Sequence, residues 1–407
     1  MSKTGKYTLT FWIFGGFILG IITGAVVGEP VVPFVRPLAS IFLRLLRMAI
    51  IPLVITSIVS AVAQVGTAYG LGRIGLRTLA YYIMTSFIAI ITGQTLVNIF
   101  KPGVGAEIGL VANPESIEAV EQGLGEILLN IIPENPIQAM ASGDVLPVIF
   151  FSILFGFFIT RLKPDQRDLL KNVFDAAFEA MLKMTTFIIW SAPLGVFGII
   201  TEIVAETGFS SFKSLGFYFL IVLAGLAIHM LITLPLLLRV LGKLNPVKHY
   251  RGMLPALFTA FSTCSTIVTL PLTMKATTEE SGASKRAAGF VLPIGATMNM
   301  DGTALYECVA TIFIAQVYGF DLSFTAQITV AITAVLASIG AASIPMSGMV
   351  MMSIILSAVG LPLEGVAIIL AVDRILDMFR TTANVFSDSC GAVIISRFEQ
   401  MSENKAK

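Results

Sequence analysis

L-S-F-T-A-Q-I-T-V-A-I-T-A-V-L-A-S-I-G-A-A-S-I-P-M-S-G-M-V-M-M-S-I-I-L-S-A-V-G-L-P-L, residues 322–363, runs for 42 residues without a formal charge. About 20 apolar residues suffice for one helix to cross a bilayer, so this run is too long for a single crossing. Its middle, S-I-G-A-A-S-I-P-M-S-G (338–348), is made of small residues and Pro345, which break a helix. Two half-length helices meeting at a tip, a re-entrant hairpin, fit this pattern better than one kinked helix. Residues 252–274 are similar: apolar ends, S-T-C-S-T at 262–266, then Pro271. There the hairpin and the kinked helix are evenly matched. Non-helical backbone at membrane depth survives only buried in protein or lining a cavity.

The rest of the chain agrees with a membrane setting. It is 56% hydrophobic and 13% charged, against about 25% charged in soluble domains, and its mean hydropathy is +0.89. Uncharged runs at 10–28, 49–72 (extended backward through Arg44 and Arg47), 78–100, 145–160, 184–201 and 214–238 read as spans. So does 287–320, which carries only Asp301 and Glu307. The first run reads as a retained span, not a cleaved signal peptide, because no clear cleavage site follows. Eight spans plus two hairpins form the expected all-α membrane fold, as one domain over 1–407. Basic loops (Lys3 and Lys6; Arg73 and Arg77; Arg161 to Lys171; Arg239 to Arg251) alternate with acidic ones (Glu107 to Glu126; Glu202 and Glu206). The positive-inside rule then puts both termini in the cytoplasm. A net charge of +1 points to no nucleic-acid partner, and Cys264, Cys308 and Cys390 show neither disulfide nor metal spacing. His249 reads as part of a polar linker and His229 as a packed interior residue in preference to a proton relay.

Polar groups inside the oil are expensive and mark a substrate or ion path. A-V-D-R-I-L-D-M-F-R-T-T-A-N-V-F-S-D-S (371–389) holds the densest set. Asp373, Asp377, Arg380, Thr381, Asn384 and Asp388 fall within about 100° of one helix face. Asp377 suits an ammonium and the planar fork of Arg380 a carboxylate, which together describe an amino acid. An inert Asp377–Arg380 lock explains the spacing equally well. Arg374 lies three residues before Asp377, within pairing reach. In P-I-G-A-T-M-N-M-D-G-T (293–303), Gly295 and Gly302 would interrupt a helix and free carbonyls beside Asp301. Carbonyls beside a carboxylate suit a hard cation. Thr85 and Ser86 offer hydroxyls, which more often bond back to their own helix. No nucleophile–base pair appears, so an enzyme is the least favoured class.

N-M-D-G-T (299–303) followed by A-L-Y-E, the S-I-G-A-A tip, D-M-F-R-T-T-A-N-V-F-S-D (377–388) and F-L-R-L-L-R-M-A-I-I-P-L-V (42–54) resemble the glutamate transporter family. These are the dicarboxylate/amino acid:cation symporters, with archaeal aspartate transporters and animal excitatory amino acid transporters among them. The resemblance covers essentially the whole chain. It implies inverted repeats, a homotrimer in the lipid bilayer of the cell (inner) membrane and an elevator mechanism. The scaffold part would be mainly 8–70 and 124–208, and the transport part mainly 76–101 and 212–398. The second hairpin would be the outer gate.

The resemblance also implies site residues. Arg380 would take the side-chain carboxylate, Asp377 the amino group and Asn384 the α-carboxylate. Thr303 would support the distal carboxylate, with Thr381 and the tip residues Ser265, Thr266, Ile344 and Gly348 completing the substrate set. Three Na+ sites would use Asp388 with Gly295, Asn299 and Asn384; Asp301 with Asn299, Tyr82, Thr85 and Ser86; and Thr297, Ser338, Ile339 and Ala341. Glu307 would carry a co-transported H+. Arg380 favours acidic over neutral substrates and Asp377 favours amino acids over succinate-type acids, so L-glutamate or L-aspartate is expected. A neutral amino acid or C4-dicarboxylate symporter, an anion channel and a non-cycling binding sensor are the alternatives. The first tip departs from the family's serine-rich pattern. Ile267 and Val268 are expected to stiffen it where the chain turns, and Ser343 and Met346 stand where relatives usually carry Gly or another polar residue.

Overall fold

The computed structural model describes residues 3–67, 73–106, 129, 132–207, 210–341 and 347–406, and among them every regular element is helical. In hydrocarbon each backbone donor and acceptor must be satisfied within the protein, which a helix does inside its own segment.

The first group is α1 (Lys3–Val27), α2 (Val32–Thr67), α3 (Arg73–Phe100), α4 (Pro136–Ser142), α5 (Val145–Ile159), α6 (Pro164–Ile189) and α7 (Ala192–Thr207). α1 packs along α7 and α2 packs against α5, α6 and α7. A Cβ at Gly24 would lie 2.7 Å from the Thr201 carbonyl oxygen, so glycine there lets α1 and α7 approach closely. Ser60 Oγ donates to Asp175 at 2.5 Å and Arg36 pairs with Glu202 at 2.6 Å, tying α2 to α6 and α7. Two expectations change here. α2 reaches back to Val32, carrying Pro37 and Pro52 inside it. The expected span at 184–201 is instead a corner. α6 ends at Ile189, Ser191 Oγ donates to the Ile188 carbonyl, and the next helix departs at 48° with Pro193, which lacks an N–H, in its first turn.

The second group is α8 (Ser210–Ile228), a π segment (His229–Thr233), α9 (Leu234–Val240), α10 (Pro246–Thr263), α11 (Thr266–Lys275), a π turn (Ala276–Glu280), α12 (Lys285–Met298), α13 (Asp301–Val317), α14 (Phe324–Ala341), α15 (Ser347–Ala358) and α16 (Gly365–Ala406). α13 packs against α3 and α16, and every residue from Asp301 to Ala315 is buried. α10 and α12 pack against α16, and α14 packs against α12.

Residues 252–274 do form a hairpin. Cys264 takes the left-handed conformation (φ 49°), and Ser265 Oγ caps α11 by accepting from the Val268 N–H at 3.3 Å. Thr266 Oγ1 donates to the Ala296 carbonyl at 2.7 Å, docking the tip on α12. The expected stiffening at Ile267 and Val268 is corrected. The turn is made by Cys264 and Ser265, while Ile267 and Val268 lie in the first turn of α11 and are exposed. α14 and α15 pack on each other as the two legs of the second hairpin. Ser343, Ile344 and Met346 lie outside the described residues. His249 is not in a polar linker. It sits in the first turns of α10, fully buried, with Nδ1 2.6 Å from Ser281 Oγ and Nε2 2.9 Å from Ser389 Oγ.

The burial pattern inverts that of a water-soluble bundle. On α3, Ile83, Ile91 and Ile99 are exposed while Thr85 and Ser86 are buried. Leu231, Ile232 and Leu236 are exposed beside buried His229. Among the described residues, helices at Glu29–Ser60, Ile74–Phe100 and Ser214–Val240 are long and apolar enough to cross a membrane.

Candidate functional site

The interruption expected in 293–303 is present but lies elsewhere. Gly295 is inside α12 and Gly302 inside α13; the break is at Asn299 (φ −100°, ψ 92°) and Met300 (φ −118°, ψ 52°). The glycines serve close approach. A Cβ at Gly295 would come within 2.7 Å of Asp388 Cγ and Tyr82 Oη, and one at Gly302 within 2.8 Å of the Arg380 carbonyl oxygen.

Around this break three helices bring buried polar groups together. Asp301, at the start of α13, accepts at Oδ1 from Ser86 Oγ (2.7 Å) and Thr85 Oγ1 (3.2 Å). Its Oδ2 accepts from Ser387 Oγ (2.5 Å) and lies 3.3 Å from His229 Nε2. Thr85 also bonds back to its own helix at the Tyr81 carbonyl. Asn299 Nδ2 donates to Asp388 Oδ1 at 2.9 Å and to Ser387 Oγ at 3.1 Å. Asn299 Oδ1 is buried without a partner. Asn384 Oδ1 accepts from the Gly302 N–H at 2.8 Å, and its Nδ2 donates to Thr303 Oγ1 at 3.1 Å. Tyr82 Oη donates to the Val291 carbonyl at 2.6 Å. Two buried carboxylates with hydroxyl, amide and carbonyl oxygens around them are a hard-cation donor set.

One face further along α16, Arg380 is 1% exposed. Its Nη2 lies 3.0 Å from Asp377 Oδ1 and 3.2 Å from Asp373 Oδ1, and its Cζ sits 4.0 Å from the Tyr306 ring centroid. Arg374 reaches Asp377 at 3.5 Å, as its spacing suggested. Gly348, in the first turn of α15, lies against the guanidinium: a Cβ there would be 2.9 Å from Nη2 and 3.0 Å from Cζ. Among the described residues, Arg380 Nε and Nη1 are buried without hydrogen-bond partners. A pure structural lock would satisfy those donors, since each buried orphan costs about 1–3 kcal/mol. Both Glu307 oxygens are likewise buried and unpartnered, in electrostatic contact with Arg380 and Asp373.

Residues 9–398 match the sequence model of the sodium:dicarboxylate symporter family. The chain belongs to that family. Its members are transporters of the cell membrane, not enzymes, and the broken helix with its carboxylates belongs to a symporter. A proton/glutamate-aspartate symporter of Escherichia coli K12 is 36% identical over 419 residues, covering 99% of this chain and 95% of that one. A proton/sodium-glutamate symport protein of Geobacillus stearothermophilus is 36% identical over 412 residues, covering 99% and 97%. Human excitatory amino acid transporter 3 is 36% identical over 442 residues, covering 94% and 84%.

Of the expected residues, Tyr82, Thr85, Ser86, Gly295, Asn299, Asp301, Thr303, Asn384 and Asp388 meet around the helix break, and Arg380, Asp377 and Gly348 form the neighbouring cluster. Thr381 is buried on α16 beside them. Thr297 is in the last turns of α12, and Ser338, Ile339 and Ala341 end α14, which packs on α12. Sequence reading gave no site role to Ser387, Tyr306 or His229. Ser387 stands one residue before Asp388, and Tyr306 one before Glu307, so adjacency was the available signal. His229 had none.

Proposed function

We propose that this symporter moves L-glutamate or L-aspartate together with sodium, and that Glu307 carries a proton. The observation that carries the substrate class is Arg380: a buried guanidinium with two donors that have no partner among the described residues, next to a carboxylate, Asp377, that it shares with Arg374. An incoming substrate carboxylate satisfies the orphan donors. Its ammonium draws Asp377 away from Nη2, while Asp373 remains as counter-ion. Asn384 and Thr303, already hydrogen-bonded to each other, flank the same path and take the α-carboxylate and the distal carboxylate. The bacterial relatives, known as glutamate and aspartate symporters, support the same class.

Asp388 with Gly295, Asn299 and Asn384, and Asp301 with Asn299, Tyr82, Thr85 and Ser86, form two of three sodium sites. Hydroxyls that now donate to Asp301 can rotate and offer lone pairs to a cation. The third site uses Thr297, Ser338, Ile339 and Ala341, so sodium there favours the closed second hairpin over the substrate. Coupling follows because substrate and sodium prefer the same closed state. Each sodium contributes about 2.3 kcal/mol per 100 mV of membrane potential. Glu307 has no hydrogen-bond partner to offset a buried charge, and a bound proton removes that charge.

The transport part, mainly 76–101 and 212–398, slides against a scaffold of mainly 8–70 and 124–208 within a homotrimer. The protein spans the membrane eight times with two re-entrant hairpins, built as inverted repeats with both termini cytoplasmic. α1, α2, α5, α6 and α7 pack mainly with one another and more sparsely against α14, α15 and α16, which supports that division. The test is sodium-gradient-driven uptake in proteoliposomes with a panel of aspartate, glutamate, serine and succinate. Concentrative uptake of the acidic amino acids, lost in Arg380→Cys, is expected. Acidic uptake that survives that change intact refutes the substrate assignment.

A further inference from the structure

His229 lies in the π segment between α8 and α9, fully buried, with Nε2 3.3 Å from Asp301 Oδ2. The local sequence explains how it gets there. The Leu234 N–H donates to the His229 carbonyl, a bond spanning five residues instead of four. Pro235 has no N–H, so the next such bond cannot form. Its acceptor, the Met230 carbonyl, is taken by the Tyr250 hydroxyl from α10. The extra residue of a π turn shifts the helix face, and such turns recur at functional sites. The shift aims the imidazole at the start of α13.

The donors around Asp301 are not equivalent. Oδ1 is held only by Thr85 and Ser86, hydroxyls that can rotate and become cation ligands themselves. Oδ2 is held by Ser387 and His229. As a sodium ligand Asp301 would be ionised and could only accept, which would put the proton of this pair on Nε2, and a protonated ring nitrogen cannot ligate a cation. We propose that His229 is a positioning residue for cation coupling: by holding Asp301 Oδ2, it leaves Oδ1 as the oxygen that meets sodium. This rests on the reading of Asp301 as a sodium ligand.

The pair His229→Gln and His229→Asn tests it. The glutamine amide nitrogen overlies Nε2 and keeps the bond to Asp301; the asparagine nitrogen overlies Nδ1 and stops short. Uptake of labelled aspartate is measured in proteoliposomes against external sodium. His229→Asn is expected to raise the half-saturating sodium concentration about tenfold, as loss of an outer-shell partner does for metal ligands. Aspartate KM at saturating sodium stays at the parent value, and His229→Gln restores the parental sodium curve. A parental sodium curve in His229→Asn overturns the inference, as does equal damage in both variants. Asp301→Asn separates the two claims. If it leaves the sodium dependence unchanged, the ligand assignment itself is wrong; if it shifts while His229→Asn does not, only the role of His229 fails. Sodium-dependent thermal stabilisation of the purified variants reads the same order without transport.

Discussion

Adding one methyl group at Gly348 sets helix stability and substrate affinity against each other. In the present structure the new Cβ would lie 2.9 Å from Arg380 Nη2 and 3.0 Å from Cζ, with Nη1 closer still. Carbon and nitrogen rest at about 3.5 Å or more, so the guanidinium must retreat by more than about 1 Å, the distance being set by Nη1. It has little room to do so, since it is 1% exposed, paired with Asp373 and Asp377 and seated on Tyr306. A misplacement of about 1 Å in a group that positions a ligand can cost on the order of 10²-fold, or about 2.7 kcal/mol. Alanine, in contrast, favours a helix over glycine by about 0.5–1 kcal/mol. Gly348→Ala is therefore expected to raise aspartate KM by about 10- to 100-fold while the detergent-solubilised protein unfolds at the parental temperature or above. The assay pairs proteoliposome uptake with a thermal melt, and adds serine as competitor. Serine lacks the distal carboxylate, so its weak competition should change little. A parental aspartate KM in a folded variant refutes the account of Arg380 as the substrate's anchor.

Three other outcomes follow from the same geometry. Gly295→Ala puts a Cβ 2.7 Å from Asp388 Cγ and Tyr82 Oη; it is expected to raise half-saturating sodium about tenfold in uptake assays, more than it raises aspartate KM. Glu307→Gln keeps the shape of a neutral carboxyl without its proton, so uptake should become insensitive to an imposed pH gradient; coupling that stays as acid-sensitive as the parent's defeats the proton assignment. His249→Phe preserves the ring but removes both hydrogen bonds, to Ser281 and Ser389. Ser389 Oγ keeps its bond to the Phe386 carbonyl, so the change should lower stability by about 1–3 kcal/mol for the Ser281 hydroxyl, read by thermal unfolding in detergent; an unchanged melt shows the two bonds to be inert.

The parts of this molecule that were legible in the sequence are those written within one helix. The face shared by Asp377, Arg380, Asn384 and Asp388 follows from helical periodicity, and α16 presents it as a single continuous element. The hairpin at 252–274 could be read from its polar tip, yet the turn itself could not. Ile267 and Val268 look obstructive in a line of text, but Cys264 absorbs the reversal by adopting φ 49°, so both side chains point outward from α11. The bulk of Ile267 and Val268 thus falls on the outer surface of that hairpin, not on the backbone that reverses. Glycine was misread for a related reason. Gly295 and Gly302 suggest broken helices in one dimension, whereas in three they are the places where Asp388 and the α16 backbone come close.

His229 shows where one-dimensional reading stops. Nothing beside it in the chain is charged, and a histidine on an apolar helix is most economically read as filling. Its partner, Asp301, is 72 residues away, and the geometry that joins them depends on a missing N–H at Pro235 and a hydroxyl from Tyr250 on another helix. Each residue is unremarkable by type, and only the packed helices bring the three into relation. A coupled transporter needs such relations, because sodium and substrate must sense each other through groups that touch neither neighbour in sequence. α16 carries both Asp388 and Arg380, while Asn384 lies between them and bonds to Gly302 and Thr303 on α13. On the proposed assignment, a cation that draws Asp301 or Asp388 inward would move the start of α13 against α16, and Asn384 would transmit that shift to the cluster around Arg380.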